Sequence, residues 1–196
     1  IKKLIEKGAK LNEEIFIRDS SNETYINTPL NEACFNGCLE KMKYLVSLGA
    51  NVNYKEEGEI PLFKAIEYNK IEIAKWLIHN GTDLSIKNKV NQDLLYISAS
   101  HKNNDEITLL LIEKGVYIDL DIKYKNNYNN TLLHLACLYN QQKLALYLIE
   151  KNINENVLND IGNSAFHYAC LNGLLEVVEV LINKNVNINL LNNKNY

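Results

Sequence analysis

The chain repeats itself at a nearly constant spacing, and this periodicity constrains its fold more than any other feature. A segment that reads Thr-Pro-Leu-Asn-Glu-Ala from Thr28 recurs in altered form from Ile60, Asp93, Thr131 and Ser164. Successive starts are separated by 32, 33, 38 and 33 residues. Each start is followed by a second apolar segment, which ends in turn at Gly49, Gly81, Gly115, Asn152 and Asn185. Because one copy is too short to bury its own apolar face, the copies must stack on their neighbours.

Each copy carries the local signals of two short helices. Thr28 and Pro29 combine a hydroxyl that can cap a helix with a proline suited to the first turn. Pro61 keeps only the proline of this pair, whereas Thr131 and Ser164 keep only the hydroxyl. Apolar residues three and four apart follow, which indicates a first helix with one buried face. The second helix ends at Gly or Asn, the residues that best tolerate a left-handed cap.

The period and the Thr-Pro-Leu opening resemble the ankyrin repeat, and the resemblance covers the whole chain. It implies an all-α ankyrin repeat solenoid of helix-turn-helix pairs, joined by β-hairpin loops that we call fingers. We expect a single domain over residues 1–196. A partial repeat with a long finger at 1–27 precedes repeats at 28–59, 60–92, 93–130 (also with a long finger), 131–163 and 164–196.

The fingers and one helix pair depart from a regular repeat. Gly58 and Gly162 stand at the expected finger turn, and Asn91, Asn129 and Asn195 take that place elsewhere, since Asn also accepts positive φ. The fingers before Thr28 and Thr131 are longer than the repeat requires. Such insertions are either neutral, because loop lengthening costs little, or they widen a binding surface. The third repeat has one extra residue between its helices at 102–105, which predicts looser stacking there.

Composition excludes several classes of function. The net charge is −3 and the lysines are scattered, so we expect no nucleic-acid partner. No apolar run approaches the roughly 18 residues that cross a bilayer, so we expect no membrane insertion. The four cysteines match no zinc spacing and predict a reduced, intracellular and cytoplasmic location. The chain does not begin with Met, and 4–8 match the end of a second helix, so we expect a piece of a longer array.

The groups that could carry chemistry are predicted to be structural. His134 and His167 occupy a motif position where the ankyrin resemblance implies hydrogen bonds that tie adjacent loops together. Cys34, Cys137 and Cys170 share a repeat position that favours a small buried side chain. No histidine lies three or four residues from another, and no cysteine has an evident base. We therefore expect neither enzyme activity nor a cofactor or metal.

The resemblance places partner contacts on the concave side of the solenoid, at the finger tips and the ends of the first helices. The finger residues predicted to bind a partner are Tyr25, Glu57, Glu59, Val90, Gln92, Tyr128, Asn130, Ile161 and Asn163. Those at the helix ends are Phe35, Tyr68, His101, Tyr139 and Asn172. Interfaces favour aromatic residues, and an aromatic or His recurs in four successive helix ends. Alternatively, these rings pack between neighbouring first helices.

These observations predict a non-catalytic protein–protein interaction scaffold. We expect a monomer that binds a protein or an extended peptide through side-chain complementarity on a preformed surface. An alternative is the recruiting arm of a larger multidomain enzyme, ligase adaptor or membrane protein.

Overall fold

The computed structural model describes residues 10–13, 15–18, 24–55, 60–116, 123–125 and 128–194, with only the backbone at 15–18 and 24–27. Within these ranges an antiparallel hairpin of β1 (Ile15–Arg18) and β2 (Thr24–Asn27) precedes ten helices. The helices are α1 (Pro29–Phe35), α2 (Leu39–Ser47), α3 (Pro61–Glu67), α4 (Ile71–His79), α5 (Leu94–Ala99), α6 (Asp105–Glu113), α7 (Leu132–Leu138), α8 (Gln142–Glu150), α9 (Ala165–Leu171) and α10 (Leu175–Asn183). The predicted all-α class with hairpin fingers is confirmed.

The chain divides into two compact units, the first ending at Leu94 and the second beginning at Leu95. In the first unit, helix α1 packs against α3, and each also packs against the second helix of its own pair. In the second unit, α7 packs against α9, and α8 packs against both α6 and α10. First helices thus stack on first helices in both units, and second helices stack on second helices in the second unit. The predicted single domain over 1–196 and the repeat boundaries stay predictions.

The first helices begin where the sequence predicts. Thr28 caps α1, because its hydroxyl accepts a hydrogen bond from the backbone amide of Asn31 at 3.1 Å. At α7, Thr131 and His134 bond reciprocally: the His134 amide donates to the Thr131 hydroxyl, and the Thr131 amide donates to His134 Nδ1. These bonds satisfy amides that have no partner inside the helix.

The second helices end in the left-handed conformation that the sequence predicts. The backbone φ is positive at Gly49, Gly81, Gly115, Asn152 and Asn185. A further set of left-handed residues separates the two helices of each pair: Gly37, Asn69, Asn103, Asn140 and Gly173. Asn therefore takes the place of Gly at many of the turns that shape this chain.

The fingers also turn as expected. Asn91, Asn129 and Gly162 have positive φ, which confirms three of the predicted turn positions. Gly58 and Asn195 lie outside the described residues. In the finger that precedes α7, Tyr124 and Asn130 form an antiparallel bridge.

Two of the three aligned cysteines are core residues, and the third is not. Cys34 and Cys137 are buried, and this burial raises the pKa of each thiol to about 12. Cys170 is exposed, so its predicted burial is wrong. Cys34 and Cys137 belong to first helices that are followed by another first helix, α3 and α9 respectively. Among the described residues no helix follows α10, so nothing in them covers Cys170.

The third repeat accommodates its extra residue through a side chain from the next repeat. Helix α5 has six residues, the fewest of the described helices. Gln141, fully buried, donates from Nε2 to the carbonyls of Ser98 and His101 at 2.8 and 2.6 Å. The side chain of Asn104 is equally buried, and neither its oxygen nor its nitrogen has a hydrogen-bond partner among the described residues. Helices α5 and α7 pack less closely than α7 and α9, as the predicted looser stacking requires.

Candidate partner-binding surface

An open depression of about 630 Å³ lies in the second unit, between residues of three fingers and one face of helix α9. Its lining residues are Tyr128, Ile161, Asn163, His167, Tyr168, Leu171, Asn192, Asn193 and Lys194. Three of them, Tyr128, Ile161 and Asn163, belong to the finger residues predicted from the sequence.

Tyr128 forms one wall in an unusual backbone conformation. Its side chain is 60% exposed and its φ is +53°, whereas Val90 and Ile161, at the matching finger positions, have no positive φ. A left-handed conformation costs a bulky residue on the order of 1–3 kcal/mol, so it persists only where the surroundings hold it. The next finger supplies the restraint. The Asp160 amide donates to the Tyr128 carbonyl at 2.9 Å, and the Asn129 side chain donates to the Asp160 carboxylate.

A second part of the lining comes from two fingers in close backbone contact. The Asn193 amide donates to the Ile161 carbonyl at 3.1 Å. A Cβ atom added to Gly162, which has φ +76°, would lie 2.8 Å from Asn193 Oδ1 and 3.1 Å from the Asn192 Cα. Only glycine can adopt this positive φ and also leave room for the neighbouring backbone to approach so closely.

Asparagine side chains hold these fingers in shape. Asn159 accepts at Oδ1 from the amides of Ile161 and Asn163, at 3.2 and 2.9 Å. Its Nδ2 donates to Asn130 Oδ1 at 2.7 Å, and Asn192 Nδ2 donates to Asn163 Oδ1 at the same distance. Each finger is therefore braced internally and bonded to the next one.

The floor of the depression is aromatic and aliphatic. The Tyr168 ring is buried and packs edge-on against the His134 ring, with the centroids 6.2 Å apart. Its hydroxyl accepts a hydrogen bond from Asn159 Nδ2 at 3.1 Å. Leu171 ends helix α9 and is 76% exposed. The depression thus combines a rigid base with an uncovered apolar rim.

His134 behaves as predicted, as a structural tie between loops. Its Nδ1 accepts from the Thr131 amide, so Nε2 carries the proton and donates to the Asn163 carbonyl at 3.0 Å. Burial lowers the pKa of His134 to about 4, and the bond to the Asn163 carbonyl opposes this shift only in part. The imidazole is therefore neutral near pH 7 and fixes the backbone of the finger that lines the depression.

Of the remaining predicted residues of the second unit, His101, Asn130 and Asn172 form side-chain hydrogen bonds within the protein. His101 donates from Nδ1 to the Ile97 carbonyl at 2.7 Å and is half-buried, as is Tyr139. Asn172 donates to the carbonyls of Cys137 and Leu138 at 2.8 and 3.0 Å. Asn130 is fully buried, because the next finger covers it, and is not available to a partner.

In the first unit, two predicted helix-end residues form an exposed pair. Phe35 and Tyr68 are 42% and 45% exposed, and their rings meet edge-to-face with centroids 4.7 Å apart. The rings therefore pack against each other and still present area to solvent. Val90 is exposed, and Gln92 accepts a hydrogen bond from the Asn88 side chain at 3.0 Å.

Three predicted residues lie wholly or partly outside the described structure. Tyr25 pairs with Ile17 through the backbone of the hairpin, but its side chain is not described. Glu57 and Glu59 fall in the range 56–59, which is outside the described residues.

Sequence reasoning missed Leu171, Lys194 and Asp160. Leu171 stands at the same repeat position as Leu138, which is half-buried. The sequence pattern alone therefore predicts both to be ordinary apolar helix residues and does not indicate the exposure of Leu171. Nothing in the repeat pattern marks Lys194 as a lining residue. Asp160 acts through Asn129, 31 residues earlier, and no local pattern indicates that contact.

The described residues contain no group of three or more His, Cys, Asp or Glu placed to hold a metal ion. None of the helices in the described ranges is long and apolar enough to cross a membrane.

Comparison with known proteins agrees with the observed fold. A family model described as ankyrin repeats in three copies matches residues 1–88 and 95–192. The chain is similar to alpha-latrotoxin-Lg1a of Latrodectus geometricus, with 31% identity over 57% of this chain and 8% of the toxin. It is 27% identical to the putative ankyrin repeat protein FPV034 of fowlpox virus, over 80% of this chain and 38% of the relative. Ankyrin repeat protein OPG189 of vaccinia virus (strain Copenhagen) is 30% identical over 64% of this chain and 21% of its own length.

The chain spans well under half the length of each of these relatives. Ankyrin repeats are generally protein–protein interaction modules and are generally non-catalytic. The family model covers nearly all of the chain, and the helix pairs and fingers follow the same period. The protein belongs to the ankyrin repeat family.

Proposed function

We propose that this chain binds a protein partner, and that the depression of the second unit receives an extended segment of that partner. The observation that carries the proposal is the convergence of exposed Tyr128, Ile161 and Leu171 on one open depression. Exposed apolar side chains that are grouped in this way mark interaction sites more often than scattered ones. Tyr is also among the residues that contribute most to binding when a partner covers them.

The rigidity of the surface supports the same proposal. Hydrogen bonds from Asp160 and Asn129 fix the Tyr128 backbone, and His134 fixes the Asn163 carbonyl. A surface that is already ordered loses little conformational entropy when a partner binds. The proposed mechanism is therefore shape and side-chain complementarity without a catalytic step.

The Phe35–Tyr68 pair is a second contact region within this proposal. Both side chains lie at the ends of first helices, α1 and α3, where the sequence predicts partner contacts. Their edge-to-face packing orders the two rings before a partner arrives. The double variant Phe35→Ala, Tyr68→Ala tests this region separately from the depression.

The test compares three proteins in affinity purification from source cells, followed by binding measurements with the purified partner. The parent is compared with the double variant Tyr128→Ala, Leu171→Ala and with the control Leu175→Ala. Leu175 is 74% exposed, nearly the same as Leu171, but does not line the depression. We expect the parent and the control to retain the same partner and the double variant to lose it.

Circular dichroism first establishes that all three proteins are folded. Both substituted leucines are exposed, so folding should survive. If the double variant retains the same partner with the affinity of the parent, the depression is not the binding site.

A further inference from the structure

We propose that the partner segment presents a bulky apolar side chain to the depression, and next to it an aspartate or glutamate that pairs with Lys194. This inference rests on the proposed function, because it names the chemistry of the segment that the same site binds. It concerns an acidic side chain of a protein, rather than a phosphate or a terminal carboxylate.

The apolar half of the proposal follows from the lining. Tyr128, Ile161 and Leu171 present exposed apolar surface, and the buried Tyr168 ring forms the base. The volume of about 630 Å³ falls in the range of sites that bind organic ligands. An aromatic or large aliphatic side chain would cover the exposed ring of Tyr128, whose backbone is held in place by the neighbouring finger.

The acidic half follows from charge. Lys194 is the one residue with a permanent charge among the described lining residues, and no carboxylate accompanies it there. Within the described residues Lys194 is exposed and has no ion pair. Asp160 is not among the described lining residues, and both of its carboxylate oxygens already accept from Asn129. A carboxylate on the partner would therefore meet an uncompensated cation at the rim of an apolar site, where pairing fixes orientation.

A nucleic acid fits this surface less well. Binding to a phosphate backbone draws on several lysines or arginines, and the described lining supplies one cation. The net charge of −3 also disfavours a polyanion.

The experiment selects a phage-displayed library of random linear peptides on the immobilised parent and on Lys194→Glu. We expect the parent to enrich peptides in which Phe, Trp, Leu or Met stands beside Asp or Glu. Charge reversal should enrich Lys or Arg in place of the acid and leave the apolar residue unchanged. In a synthetic copy of an enriched peptide, acid-to-Ala substitution should weaken binding roughly two- to fivefold, and added salt should reduce the difference.

The outcomes separate the inference from the proposed function. Enriched peptides that need Tyr128 and Leu171 but carry no preferred charge would show that the inferred acidic side chain is wrong. Enrichment of the same acidic peptides by Lys194→Glu would show the same. In both cases the proposed binding site would stand. If the double variant Tyr128→Ala, Leu171→Ala enriches the same peptides as the parent, or if the parent enriches no peptide, both the inference and the proposed function fail. Binding of a fluorescent single-stranded oligonucleotide that depends on Lys194, or self-association lost in Tyr128→Ala, would also overturn the inference.

Discussion

The carboxylate of Asp160 accepts a hydrogen bond from the Asn129 side chain at each oxygen, both at 2.8 Å. The two residues belong to successive fingers, and the Asp160 amide also binds the carbonyl of Tyr128. One residue thus holds both left-handed residues of the neighbouring finger, Tyr128 and Asn129. The exposed position of the Tyr128 ring depends on a contact between repeats, and its own finger does not provide that contact.

Removal of the Asp160 carboxylate should release this turn. We expect Asp160→Ala to lower stability by about 1 kcal/mol, since two hydrogen bonds to a charged but exposed group are lost. Amide hydrogen exchange at residues 128–130 should accelerate more than exchange in helix α9. Asn129→Gly is the matched control, because it removes the same side-chain bonds and keeps positive φ without strain. Equal exchange rates at 128–130 in the parent and in Asp160→Ala would refute this account.

Gly162 and Gly173 have similar positive φ but different surroundings. Alanine substitutions at the two positions therefore distinguish the cost of backbone strain from the cost of close packing. Gly162 has φ +76° and close contacts to Asn192 and Asn193, whereas Gly173 has φ +66° and open space around its added Cβ. We expect Gly173→Ala to cost about 1 kcal/mol, because Ala is strained in this conformation. Gly162→Ala should cost more, since a neighbouring backbone must also move. Urea denaturation measures the loss of stability in each variant. A smaller loss for Gly162→Ala than for Gly173→Ala would show that the neighbouring finger can move away at little cost.

His134 makes stability depend on pH. Its pKa in the folded protein is about 4, below the ordinary value of 6.5, because burial disfavours the charged ring. The unfolded chain therefore binds more protons between these values. The contribution of the neutral ring to stability is complete above about pH 6.5 and is lost as pH falls toward 4. The shift corresponds to a loss of at most about 3 kcal/mol.

Replacement of His134 by Gln removes this titration while it keeps a donor for the Asn163 carbonyl. Urea denaturation of the parent and of His134→Gln between pH 4 and pH 7.5 should show a difference in stability that grows with pH. Carboxylates titrate in the same range, but they are common to both proteins and cancel in the difference. A difference that is constant across the range would contradict the assigned role of the ring.

Gln141 should be more important to stability than its exposed neighbour. Gln141→Leu leaves the carbonyls of buried Ser98 and half-buried His101 without their donor, which we expect to cost about 2–4 kcal/mol. Gln142→Leu removes only an exposed bond to Glu176 and should change stability by less than about 0.5 kcal/mol. Thermal denaturation of both variants tests the contrast, and similar losses would show that the buried contacts have no special weight.

Much of the fold could be predicted because its signals are local and recur. Thr28, Pro61 and Thr131 each mark the start of a first helix, and Gly49 and Asn152 each mark the end of a second one. These positions depend on the conformational preferences of single residues, which a sequence displays directly. The fixed period then specifies how successive pairs stack.

The candidate site could be predicted only in part, because exposure and pairing depend on the neighbouring repeat. The alignment of the repeats in the sequence identified Tyr128 and Ile161 as finger residues that bind a partner. It predicted the same role for Asn130, although the next finger buries that residue. Cys170 matches Cys137 in sequence and differs from it in burial, because only Cys137 belongs to a helix with a following first helix in the described chain. Identical residues at identical repeat positions therefore have different environments.

The extra residue of the third repeat has a consequence for how this array evolves. Its helix junction is completed by Gln141, which belongs to the following copy. A recombination event that excised residues 131–163 would preserve the repeat phase and yet place Leu174 where Gln141 now stands. The carbonyls of Ser98 and His101 would then lose the side-chain amide that donates to both of them. Loss of the fourth copy alone would therefore deprive the helix junction of the third copy of its side-chain donor, whereas loss or duplication of the two copies together would preserve it.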